Sequence, residues 1–145
     1  MESLDSNPSF HMTENEYITD ERQAYFAIVF ACLAADETIH HQEVAYLNHV
    51  LFQQGIFIGK GGVALFKQIY RLHQAVGGSH ALIQLAAGYI SEANKEKVYT
   101  DALLAMVADG AYHEKERRVL ASLQQALALS DQAIVSIEEK VIKLE

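Results

Sequence analysis

The chain has 145 residues, half of them hydrophobic and about a fifth charged, as in a globular protein and unlike a disordered one. A domain of this size buries about 68–70% of its unfolded surface and needs no covalent staple. Its formal net charge of -8, from 11 basic and 19 acidic residues, argues against non-specific nucleic-acid binding, which needs clustered Lys and Arg.

The segment 1–18 is polar and acidic and lacks the basic n-region of a secretory signal, so it is expected to be a flexible tail ahead of one domain spanning 19–145. Thr19, Asp20 and Glu21 then precede an apolar run, the pattern of a capped helix with acids in its first turn. That run, twelve residues from Ala24 to Ala35, is shorter than the ~20 needed to span a bilayer and predicts a buried core helix. The lone cysteine, Cys32, lies within it; it is expected to be a small core residue, and a chain with no second cysteine fits a reducing, cytoplasmic setting.

A second helix is predicted from His40 to Gln54, with Val44, Leu47, Val50 and Leu51 on one face and Gly55 as its stop. The glycine-rich stretch around Lys60 lacks the Gly-Lys-Ser/Thr ending of a phosphate loop and reads as an inter-helix connection. A third helix, Val63 to Ala75, ends at Gly77-Gly78; Ser79 is placed to cap a fourth, and Ser91 a fifth running to Ala108. A sixth runs from His113 to Leu127, and Ser130 starts the last. The mixed charges Glu114, Lys115, Glu116, Arg117 and Arg118 read as a solvated helix face. No segment has the period-2 alternation of a strand. The fold class is therefore all-α, a compact bundle of about seven helices.

A shift of 73 residues superimposes Ala35-Asp36 on Ala108-Asp109, Ile39-His40 on Tyr112-His113, Glu43 on Glu116 and Leu47 on Leu120. The bundle is thus expected to contain two pseudo-repeated helix–loop–helix units, each with an Asp leaving one helix and a Glu in the first turn of the next. Side chains on a helix lean toward its N-terminus, so each Glu tilts back to its loop. Asp36, Glu43, Asp109 and Glu116 are the candidate metal ligands. Hard carboxylate oxygens suit Ca²⁺, Mg²⁺ or Mn²⁺, and one Asp per loop makes any single-loop site weak, with Kd of about 10⁻⁴–10⁻³ M. His40 and His113 share a repeat position and are weaker candidates that would draw preference toward Zn²⁺. His11, His49, His73 and His80 share no spacing and are expected at or near the surface. The alternative reading is structural: Asp-Gly leaves a helix easily, and a Glu at the third helical position can complete a cap.

Glu37-Thr38-Ile39-His40 spells the Glu-x-x-His of di-iron bundles, but Gly110 replaces Glu37 in the second unit and breaks the pattern. No Ser–His–Asp or Cys–His arrangement follows from the spacing, so no catalytic residue is expected.

The run Val107-Ala108-Asp109-Gly110-Ala111-Tyr112-His113-Glu114-Lys115-Glu116-Arg117 resembles the signature of the tellurite-resistance TerB-like family. The unit Ala34-Ala35-Asp36 through Glu43 matches in its Asp and Glu and lacks the glycine. The resemblance implies a compact, duplicated, non-enzymatic bacterial helical domain linked to tellurite and chemical-stress responses. It also implies that Asp36, Glu43, Asp109 and Glu116 hold a divalent cation and that the domain meets a protein partner. The competing functional class is a helical adaptor that recognises a partner without metal. A metal hydrolase, a third class, would need a general base for which the spacing offers no candidate.

Overall fold

A computed structural model describes residues 18–34, 62–107 and 114–144 of the chain, which form helices and their connections with no strand among them. The α-helices are α1 (Glu21–Leu33), α2 (Gly62–Val76), α3 (Ser79–Ala87), α4 (Lys95–Val107), α5 (Glu114–Leu127) and α6 (Asp131–Leu144), with a 3₁₀ turn, Glu92–Asn94, leading into α4. The expected tail, the expected helix from His40 to Gln54 and the glycine-rich stretch around Lys60 lie outside the described residues.

The helix α1 is apolar all round, and that dictates its place. Every residue from Gln23 to Leu33 is buried, and α2, α3, α4 and α5 all pack against it. Ala24, Ala27 and Ala31 are fully buried and small, which lets neighbouring backbones approach; Phe26 and Phe30 fill the space between them. Phe30 is the hub of an aromatic cluster, its ring 5.6 Å from Phe66, 6.3 Å from Tyr70 and 5.5 Å from the edge-on imidazole of His73. Centroid separations of this size in tilted or edge-to-face geometry are favourable beyond the area they bury.

The start of α1 is fixed by a reciprocal cap one residue later than Thr19. Asp20 is the N-cap; its Oδ1 accepts the Gln23 N–H at 2.9 Å. Gln23 Oε1 in turn accepts the Thr19 N–H at 2.9 Å and the Thr19 hydroxyl at 3.1 Å, so the buried amide oxygen is satisfied. Glu21 reaches the other way. Its Oε2 accepts the Ser91 N–H at 2.6 Å and an Asn94 amide N–H at 3.2 Å, which ties α1 to the approach to α4. The Ser91 bond holds the Glu21 carboxyl below its usual range.

The other ends follow their local chemistry. Gly77, at φ +97°, closes α2, and the Gly78 N–H donates back to the His73 carbonyl at 3.0 Å. Gly78, at φ +127°, is also the N-cap of α3. Ser79 therefore does not cap α3 as its position suggested: it is the first helical residue, and its hydroxyl is engaged by His73 Nε2 at 3.0 Å. Ser91 likewise caps only the 3₁₀ turn, without a side-chain bond. Ser130 does cap α6, its Oγ accepting the Ala133 N–H at 3.1 Å.

The remaining helices are amphipathic and close the core. Leu65, Ile69 and Leu72 face inward from α2; Val119, Leu120, Leu123 and Leu127 from α5; Ile134, Ile137 and Val141 from α6. The described core is one continuous cluster running from Ile18 to Val141.

Candidate functional site

The fold packs α1 against α4, with Asp36 and Asp109 each a few residues beyond their ends in the sequence. Both helices are 13 residues long. Of the six sequence-derived candidates, Asp36, His40, Glu43, Asp109 and His113 lie outside the described residues. Glu116 is described, and it is not on a solvated face. Its residue is 2% exposed, at the head of the inward stripe that continues through Val119, Leu120, Leu123 and Leu127.

The charge of Glu116 is felt on α1. The Cys32 thiol, fully buried in the last turn of α1, is pushed above its usual range first by burial and then by the negative charge of Glu116. A carboxylate from the start of α5 thus acts on the end of α1, the helix that leads toward Asp36. Cys32 is accordingly an inert core thiol, as its sequence context implied. Among the described residues, no group of three or more His, Cys, Asp or Glu is arranged to hold a metal ion.

A second buried carboxylate went unnoticed in the sequence. Asp101, 3% exposed on α4, accepts the Tyr25 hydroxyl at 2.5 Å across to α1. Burial pushes the Asp101 carboxyl up, against the opposing effects of the Tyr25 bond and the Lys97 charge. It likewise pushes the Tyr25 phenol up. A lone Asp inside the apolar stretch Val98 to Met106 is the signal that could have revealed it.

The third unexpected feature is a cavity of about 290 Å³ lined by Ala34, His73, Gly78, Ser79, His80, Lys115, Arg118 and Val119. His73 and His80 lie on different helices, yet both reach this space because the Gly77-Gly78 turn folds the end of α2 against the start of α3. Lys115 and Arg118, read from the sequence as part of a solvated face, line its opposite wall. His80 Nδ1 shares a 2.6 Å hydrogen bond with the Ser122 hydroxyl, which pins α3 to α5.

The described residues form an all-helical domain whose central apolar helix α1 packs against α5, the helix that carries the buried Glu116. A family model described as "Tellurite resistance protein TerB" matches residues 22–139. The chain belongs to the TerB family, as the Asp109-Gly110…Glu116 run implied. No curated protein and no solved structure matches it. No described helix is long and apolar enough to cross a membrane.

Proposed function

We propose that this TerB domain is a non-enzymatic, divalent-metal-binding module of a bacterial tellurite or chemical-stress response. In this reading two pseudo-repeated corners supply Asp36, Glu43, Asp109 and Glu116 as ligands, and the domain works in the cytoplasm with a protein partner. The observation that carries the reading is the burial of Glu116 at the start of α5, a helix packed against α1. A helix-capping glutamate in a solvated corner has no reason to lie 2% exposed. A carboxylate held out of solvent at the start of α5 is a hard oxygen donor of the kind that divalent cations take. Oxygen-only ligands favour Ca²⁺, Mg²⁺ or Mn²⁺; participation of His40 or His113 would favour Zn²⁺. Bound metal would rigidify both corners and set the acidic surface presented to the partner.

The competing reading makes the carboxylates structural and the domain an adaptor without metal. It draws on the position of Glu116 in the first turn of α5, where the helix dipole favours a negative charge.

Thermal unfolding separates the two. With Kd of about 10⁻⁴–10⁻³ M, 10 mM cation stabilises the folded state by about 1.4–2.7 kcal/mol, a rise in Tm of several degrees. The rise should appear on adding Ca²⁺, Mg²⁺ or Mn²⁺ to chelator-treated protein and vanish on re-chelation. A Tm indifferent to all of these and to Zn²⁺ would leave the adaptor reading in possession.

A further inference from the structure

The geometry points to a second ligand site, independent of the acidic corners: the His73–Ser79–His80–Lys115–Arg118 cavity binds a phosphate-type oxyanion, free or carried on a small molecule. Among the described residues, its lining departs from the acidic character of the chain. The net charge is -8, yet this space collects a lysine, an arginine and two histidines from three helices. Lys115 and Arg118 lie one turn apart on α5 and face the α2–α3 turn across the opening. Arg118 is held only loosely, its Nε 3.7 Å from Glu114 Oε2 with both side chains largely exposed, so its guanidinium can turn to an incoming anion at little cost. A guanidinium offers paired donors to such a group, and a lysine a mobile point charge.

The α2–α3 turn lines the same space with polar side chains. Burial disfavours the charged form of the His73 imidazole, whose Nε2 shares a 3.0 Å hydrogen bond with the Ser79 hydroxyl. Ala34 and Val119 give the space an apolar floor, which strengthens charge-assisted hydrogen bonds above it. The same two cations that attract an oxyanion repel a metal ion, so the two histidines do not make this a metal site. At about 290 Å³ the cavity has room for a phosphoryl group and a few further atoms.

The test is a two-dimensional amide NMR titration of the full chain with inorganic phosphate and, separately, phenyl phosphate. Ionic strength is held fixed and chelator is present throughout, so the outcome is independent of any metal. Saturable shifts centred on Gly78, Ser79 and His80 are expected. The apparent Kd should rise at least tenfold in the variant Lys115→Gln, Arg118→Gln, both exposed positions, and stay near wild type in the control Lys140→Gln on α6. Tighter binding of phenyl phosphate would indicate a phosphorylated small molecule as the source, and equal binding the free anion. Linear shifts scattered over the surface, or a double variant indistinguishable from the control, would overturn the site.

Discussion

Replacing Phe30 with alanine is expected to destabilise the domain by about 3–5 kcal/mol and lower its Tm by roughly 10–20 °C. The ring is 1% exposed on the central helix and touches Phe26, Phe66, Tyr70 and His73, so its loss opens a cavity where α1 meets α2. Neighbours on two rigid helices cannot collapse far into that space, which sets the cost toward the upper end of the range. Since domains are typically stable by only 5–15 kcal/mol, a large part of the total is at stake. Urea unfolding measures it directly. A variant within 1 kcal/mol of wild type would mean that the aromatic cluster is not a rigid part of the core.

The second large effect is at Tyr25. Tyr25→Phe removes the hydroxyl that Asp101 accepts and leaves a buried carboxylate short of a donor, at a cost of about 1–3 kcal/mol. The double variant Tyr25→Phe, Asp101→Leu removes both partners and should recover most of the loss. The pH dependence has a definite sign. Burial raises the folded-state pKa of Asp101 above its ordinary 3.8, so its contribution to stability is fully present below that value and fades as pH rises through the raised one. Removing the Tyr25 donor raises it further. The penalty of Tyr25→Phe should therefore be larger at pH 7 than at pH 4. An equal penalty at both pH values would show that the carboxylate is not the group being stranded.

Much of this architecture was legible in the sequence because it rests on local signals. A helix apolar on every side must be central, and α1 is. Ser130 caps α6 through its hydroxyl, and the inward faces of α2, α5 and α6 follow helical spacing. Most of the misses depend on contacts between residues distant in the chain, and Ser79 is decided within the α2–α3 turn. Ser79 looked like a cap, but His73 takes its hydroxyl and Gly78 supplies the backbone conformation instead. Asp101 and Tyr25 are 76 residues apart. The basic cavity collects residues from three helices whose packing angles no spacing encodes. Glu116 is the instructive case at the candidate site: the repeat singled it out by position, while its burial follows from lining up with Val119, Leu120 and Leu123 on the inward face of α5.

The most direct test of the metal-binding reading is calorimetric titration of the metal-stripped protein with Ca²⁺, Mg²⁺, Mn²⁺ and Zn²⁺. It would be repeated on the variant Asp36→Asn, Glu43→Gln, Asp109→Asn, Glu116→Gln, with helicity checked by circular dichroism. Saturable binding to the wild type, with Kd at or below about 10⁻³ M and abolished in the folded variant, is the predicted result. Absence of heat in the wild type for all four ions, or binding that the variant retains, would contradict it.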